Sequence, residues 1–111
     1  YSPAVRVGPW LFISGQIALL PDGSLERSSL EKEIAQVLAN FRAVLEAGGA
    51  RPEHLVKVTI YLTDMAFFPV VNAGYERLFP PGAYPARETV AVSALPRGAR
   101  IEISGIAYIP E

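Results

Sequence analysis

The sequence lacks cysteine, has a single histidine and carries a net charge of only −1. The absence of cysteine excludes disulfides, a thiolate nucleophile and cysteine-bound metal. His54 alone does not form a metal centre, because such a centre needs several further ligands. Arginine and lysine are scattered singly, so no basic stripe is present to neutralise nucleic-acid phosphates. We therefore expect no metal and no nucleic-acid partner.

Long hydrophobic runs are also missing. No apolar run approaches the roughly 18 residues of a membrane span, and no signal peptide is recognisable, so we expect a cytoplasmic location and no membrane partner. The composition is nevertheless apolar: 50% of residues are hydrophobic and 19% are charged. This excess predicts a homo-oligomer interface, with an unusually tight monomer core as the alternative. A chain of 111 residues predicts one domain, 1–111.

The first half of the sequence predicts a hairpin followed by a long helix. Two short strands, Val5–Val7 and Trp10–Gly15, flank a Gly-Pro turn. The spacing of Ser28 and Glu31 predicts a capping box, and Gly48-Gly49 predicts the helix end. The predicted buried face comprises Ile34, Val37, Leu38, Phe41, Val44 and Leu45. The predicted polar face comprises Lys32, Glu33, Gln36, Asn40 and Glu46.

The second half predicts a strand, a shorter helix and two further strands. The strand Leu55–Leu62 is predicted to bury Val56, Val58, Ile60 and Leu62. The helix is expected between Thr63 and Pro80. The fold class is therefore α+β, a two-layer sandwich with two helices on one face of the sheet. The other face should meet solvent or another subunit. His54 is expected at the surface, and the predicted core aromatics are Trp10, Phe12, Phe41, Phe68 and Phe79.

An arginine opens the fourth predicted strand, in the stretch YPARETVAV. If the turn Pro96-Arg97-Gly98 makes a hairpin, the last two strands are antiparallel neighbours, and Arg87 comes within reach of Glu102. The spacing leaves two interpretations open. One is a salt bridge that ties the strands together. The other is an anion site in which the planar guanidinium binds a substrate carboxylate through two hydrogen bonds.

Eight stretches in order along the chain distinguish these interpretations: YSPAVRVG, FISGQI, LANFRAVLEAGG, VKVTIYLTDM, VNAGYERLF, YPARETVAV, ALPRGA and IEISGIA. With these stretches the chain resembles the RidA (YjgF) family of enamine/imine deaminases almost end to end. The resemblance implies a chorismate-mutase-like α+β fold and a homotrimer with three clefts between subunits. It also implies cofactor-free hydrolysis of small 2-imino or 2-enamino acids, such as 2-iminobutanoate and 2-iminopropanoate, to 2-oxo acids and ammonia.

The resemblance also implies roles for individual residues. Arg87 would bind the substrate carboxylate, and Glu102 would position and activate water. Further substrate-binding positions are Tyr1, Ser14, Gly15 and Tyr84, while Asn72 matches a family asparagine on the second helix. Glu88 and Thr89 depart from the family pattern, which has a small residue and frequently a cysteine there.

Two functions of different class remain open from the sequence. The first is the imine deaminase. The alternative is a non-catalytic trimer that binds small carboxylates as a sensor or scaffold; it would keep Arg87 but would have no need of Glu102. Ribonuclease activity, proposed for some relatives, is disfavoured by the acidic net charge.

Overall fold

The computed structural model describes residues 2–110. Its strands are β1 (Ala4–Val7), β2 (Trp10–Gln16), β3 (Leu55–Leu62), β4 (Ala86–Ala91) and β5 (Ile101–Tyr108). Its helices are α1 (Leu30–Ala47) and α2 (Phe68–Glu76). The element order β-β-α-β-α-β-β and the α+β class are as predicted. Tyr1, a predicted site residue, lies outside the described residues.

The five strands form one sheet in the order β1-β2-β5-β3-β4. All neighbours are antiparallel except β3 and β4, which run parallel. The predicted β4–β5 hairpin is therefore wrong, because β3 lies between the two strands. The α2 crossover returns the chain so that β4 joins the outer side of β3, and β5 then pairs on the other side. The turn at Pro96–Gly98 is a single 3-10 turn within this longer connection.

The start of α1 also differs from the prediction by one residue. Ser29 is the N-cap, and its hydroxyl oxygen accepts from the backbone N–H of Lys32 at 3.1 Å. Ser28 instead donates its hydroxyl to the carboxylate of Glu26. The helix ends at the predicted glycines, with Gly48 as C-cap.

Glu33 is fully buried rather than on the polar face of α1. Its two carboxylate oxygens accept from the backbone N–H and the Nε–H of Arg100, each at 2.7 Å. Arg100 therefore turns toward the helices, and not onto the open face of the sheet. A buried carboxylate is tolerated here because both of its oxygens have charge-assisted or backbone donors. This pair fixes α1 to the residue that precedes β5.

The face of the sheet without helices carries many exposed apolar side chains, and three predicted core positions lie among them. Trp10 and Phe12 are 40% and 44% exposed. They alternate with the buried Leu11 and Ile13, and their own side of the sheet is not covered by a helix. Val56 is 45% exposed, because a register shift between Leu55 and Lys57 places it outside the regular alternation.

Within the described residues, neither helix combines the length and the hydrophobicity that a bilayer span requires.

Candidate functional site

Arg87 lies on the edge strand β4, level with the buried Val58 of β3, so its side chain leaves the sheet on the helix-covered side. Its Nη1 donates to Oδ1 of Asn72 on α2 at 2.7 Å. Its guanidinium carbon lies 5.4 Å from the ring centroid of Phe68 and 4.9 Å from that of Tyr75. These distances are within the range of cation–π attraction. Three residues of α2 therefore surround an exposed guanidinium.

Two buried hydroxyls accompany this arginine. Tyr75 Oη and Thr89 Oγ1 are shielded from solvent and have no hydrogen-bond partner among residues 2–110. Burial raises the pKa of Tyr75 to about 12, although the charge of Arg87 acts in the opposite direction. The Tyr75 hydroxyl therefore remains neutral throughout the physiological range.

Tyr84 belongs to the same end of the molecule. Its ring meets that of Phe79 edge-on at 6.0 Å, and Phe79 in turn packs against Tyr75 at 4.9 Å. Tyr84 is 56% exposed. An aromatic row thus leads from the Arg87 guanidinium to an exposed tyrosine, which gives this edge of the sheet an apolar border.

Glu88 does not compete for Arg87. Strand alternation places it on the open face of the sheet, where it pairs with Lys57 at 3.2 Å and accepts from the hydroxyl of Thr59 at 3.0 Å. These two partners, together with the Lys57 charge, lower the pKa of Glu88. The departure from the family pattern at this position therefore does not place a carboxylate against the Arg87 guanidinium.

Glu102 lies on the open face, level with Tyr61 of β3. Its carboxyl group is half-buried and crosses Gly15, where a Cβ atom would lie within 2.6 Å of the Glu102 Cδ. Only a glycine leaves room for the carboxylate in this position. Burial raises the pKa of Glu102, and no donor within residues 2–110 hydrogen-bonds to it. This carboxylate is therefore available to a ligand or to water.

Ser14 directly precedes Gly15, at a register shift in β2 between Ile13 and Gln16. Its hydroxyl donates to the carbonyl of Ser2 at 2.6 Å, and its N–H donates to the carbonyl of Pro3 at 2.9 Å. Ser14 thus fixes the N-terminal segment beside Gly15, and its hydroxyl oxygen can still accept a hydrogen bond.

Arg87 and Glu102 do not meet within one chain. Arg87 is level with Val58 and Glu102 with Tyr61, on strands that flank β3 from opposite sides. Strand spacing and rise then place their Cα atoms about 14 Å apart. Their side chains also point to opposite faces of the sheet. The predicted proximity of the two groups in one chain is therefore wrong, and no ion pair joins them among the described residues.

The sequence prediction assigned Phe68 only to the core and did not connect Tyr75 with Arg87. The signal was present, because Phe68, Asn72 and Tyr75 follow helical spacing and so share one face of α2. The described residues contain no group of three or more histidine, aspartate or glutamate side chains that could hold a metal.

Comparison with known proteins gives consistent matches over nearly the whole chain. The family model described as "Endoribonuclease L-PSP" matches residues 1–109. A mouse protein named 2-iminobutanoate/2-iminopropanoate deaminase is 43% identical over 108 residues, covering 96% of this chain and 79% of the mouse protein.

Two solved structures extend the similarity to the fold. A putative endoribonuclease from Thermotoga maritima has a TM-score of 0.94 and 45% identity, covering 100% of this chain and 87% of that one. RidA from an Antarctic Psychrobacter species has a TM-score of 0.91 and 39% identity, covering 98% of this chain and 88% of that one.

Proposed function

This chain belongs to the endoribonuclease L-PSP family, which is also the RidA family, and on that basis we propose that it hydrolyses small 2-imino acids to 2-oxo acids and ammonia. The name of the mouse relative supports 2-iminobutanoate and 2-iminopropanoate as the substrate class. The observation that carries the proposal is an exposed guanidinium held by three residues of α2, together with a half-buried carboxylate that receives no hydrogen bond within residues 2–110.

Arg87 binds the substrate carboxylate. Asn72 takes one of the five guanidinium N–H groups, and the remaining donors form a planar fork that matches a carboxylate. Phe68 and Tyr75 limit the access of water from the helix side, which strengthens the charge-assisted hydrogen bonds.

Glu102 acts on water. The water oxygen forms a bond to the imine carbon while Glu102 takes one of its protons. The C–N bond of the resulting carbinolamine then breaks, and the nitrogen leaves as ammonia after receiving both protons of the original water. General-base assistance of this kind typically contributes about 10²–10⁴-fold, which suffices for a substrate that hydrolyses readily. The reaction requires no cofactor.

The complete site combines Arg87 of one protomer with the partner subunit's Glu102. The separation of the two groups within one chain supports this arrangement, as does the apolar open face on which Glu102 lies. A homotrimer, as the family resemblance implies, would bring such halves together at three equivalent clefts. An isolated protomer would then bind carboxylates weakly and would not catalyse.

The test couples a threonine or serine dehydratase to the purified protein and follows the appearance of the 2-oxo acid. Arg87→Ala should lower the acceleration by at least about 10²-fold, because it removes two charge-assisted hydrogen bonds. Glu102→Gln should remove most of the acceleration. Arg42→Ala and Glu46→Gln, both exposed on α1 and not on the elements that carry Arg87, Asn72 and Glu102, are the matched controls. Equal rates for wild type, Arg87→Ala and Glu102→Gln would refute the deaminase.

The second candidate is a non-catalytic trimer that binds small carboxylates. It is favoured by one observation: the surroundings of Arg87 are complete within a single chain and do not involve Glu102. In that case Arg87→Ala abolishes binding of 2-oxobutanoate, Glu102→Gln leaves it intact, and wild type does not accelerate imine hydrolysis. RNA affinity that falls steeply with salt would point instead to the activity in the family's name.

A further inference from the structure

The face of α2 toward β4 is arranged around the Arg87 side chain. Phe68, Asn72 and Tyr75 lie four and three residues apart, so they project from α2 in one direction. The two rings contact the guanidinium by cation–π geometry, and the asparagine accepts from Nη1. Contacts from both rings and a hydrogen bond restrict rotation of the guanidinium group more than any one of them alone.

A fourth residue acts on this arrangement without touching Arg87. The Nδ2 of Asn72 donates to Oε1 of Glu76 at 3.2 Å. A carboxylate accepts hydrogen bonds and does not donate, so Glu76 selects the amide orientation in which Asn72 turns its NH₂ group away from Arg87. The amide oxygen then faces the guanidinium, which has only N–H donors and therefore needs an acceptor. With the amide reversed, the NH₂ group of Asn72 and the N–H groups of Arg87 would face each other, and no hydrogen bond would form.

The direction of the free guanidinium edge follows from this chain of contacts. One N–H of Nη1 is engaged by Asn72, and neither Nε nor Nη2 donates to another residue among 2–110, so the edge formed by Nε and Nη2 remains for a ligand. That edge offers two parallel N–H groups, the geometry that a carboxylate accepts bidentately. A rotation of the guanidinium would change the direction in which this edge points.

We propose that Glu76 is a positioning residue for carboxylate recognition: it fixes the Asn72 amide, and with Phe68 and Tyr75 this amide holds Arg87 with its Nε–Nη2 edge toward the ligand. The ligand class rests on the proposed function, whereas the ordering of the Arg87 side chain does not depend on it.

The first experiment measures the Kd of 2-oxobutanoate, the expected product, by titration calorimetry. Glu76→Ala should weaken binding about fivefold, because the lost hydrogen bond acts on the ligand only indirectly, through Asn72 and Arg87. Glu76→Gln keeps an acceptor oxygen and should recover most of the affinity despite the lost charge. Glu46→Ala is the matched control, because Glu46 likewise accepts from a side chain four residues earlier, Arg42, on an exposed helix surface.

The second experiment needs no ligand. In ¹⁵N NMR spectra of the free protein, hindered rotation of Arg87 should give separate Nη signals in wild type and in Glu76→Gln. In Glu76→Ala the signals should average, with an unchanged melting temperature. Tyr75→Leu should average them too, and Tyr75→Phe, which retains the ring, should restore the separation.

The outcomes separate this proposal from the deaminase. If wild type binds 2-oxobutanoate but does not accelerate imine hydrolysis, the deaminase fails and the calorimetry still decides the role of Glu76. If wild type binds no 2-oxo acid, the NMR comparison alone decides it. Identical Nη signals in wild type and Glu76→Ala overturn the positioning role, as does unchanged affinity in Glu76→Ala.

Discussion

The two faces of the sheet differ in burial and in how far their charged groups have hydrogen-bond partners. On the helix-covered face even a fully buried charge, Glu33, has donors for both carboxylate oxygens. On the open face, Trp10 and Phe12 remain 40% and 44% exposed, and Glu102 has no donor within residues 2–110. Around Glu33 the first face satisfies its buried charge within the chain, whereas the second has the composition of a surface that another molecule covers.

The contrast explains why the proposed site is divided. Arg87 lies on the helix-covered side, where residues of α2 contact its guanidinium. Glu102 lies on the open side, where no donor within residues 2–110 hydrogen-bonds to its carboxylate. The proposed reaction uses both groups, and one chain does not bring them together. Assembly is therefore part of the proposed mechanism, and substitutions on the two faces should have different consequences.

The largest effect is expected on the covered face. Glu33→Ala removes both acceptors of Arg100 and leaves a half-buried guanidinium and a backbone N–H without partners. We expect the free energy of unfolding to fall by about 3 kcal/mol. Chemical denaturation measures this change. Glu46→Ala, which breaks the exposed pair with Arg42, should cost less than about 1 kcal/mol. Similar losses for the two variants would mean that the buried pair contributes no more to the free energy of unfolding than the exposed pair.

An intermediate effect is expected on the open face. Phe12→Glu replaces an exposed apolar side chain with a charge, so the protomer should remain folded while association weakens by about 2 kcal/mol or more. Sedimentation velocity should show a shift toward monomer, with a circular dichroism spectrum like that of wild type. Val70→Glu, a partly buried position on α2, is the comparison on the covered face and should lower stability instead. An unchanged oligomer in Phe12→Glu would show that another surface mediates assembly.

The smallest effect is expected on the pH dependence of the catalysed rate. Only ionised Glu102 can take a proton from water, and burial raises its pKa above the ordinary value of 4.5. The catalysed rate, corrected for uncatalysed hydrolysis, should therefore fall on acidification at a higher pH than an exposed glutamate would give. Glu102→Gln should lack this limb.

The same pKa shift has a consequence for stability. Because the folded state holds this proton more tightly than the unfolded state, the contribution of Glu102 to stability is present below the unfolded pKa and is lost as pH rises through the folded pKa. Denaturation at several pH values should show that Glu102→Gln lacks this loss. A wild-type acid limb at the position of an ordinary carboxyl group would contradict the burial of Glu102.

Periodicity was sufficient to predict the local elements. The spacing of Ile34, Val37 and Phe41 identified the buried side of α1, and alternation identified β3. Periodicity failed where one local contact or irregularity decided whether a residue is buried or exposed. Glu33 is buried because Arg100 lies opposite it, and Val56 is exposed because the register shifts beside it.

Strand order depended on contacts that no local pattern contains. The turn Pro96–Gly98 indicated a reversal, but not that β3 would separate β4 from β5. Trp10 and Phe12 were expected in the core because hydrophobicity alone does not distinguish a surface buried by helices from one left for another subunit. Arg87 and Glu102 were named from family resemblance, whereas their placement on opposite faces required coordinates.

The most direct test mixes two inactive variants, Arg87→Ala and Glu102→Gln, under conditions that exchange subunits. If each site takes its arginine from one protomer and its glutamate from another, random mixing in a symmetric oligomer regenerates about a quarter of the sites intact. We therefore predict recovery of about a quarter of the wild-type acceleration in the coupled dehydratase assay. Activity no greater than the average of the two separate variants, after subunit exchange has been verified, would contradict a site shared between protomers.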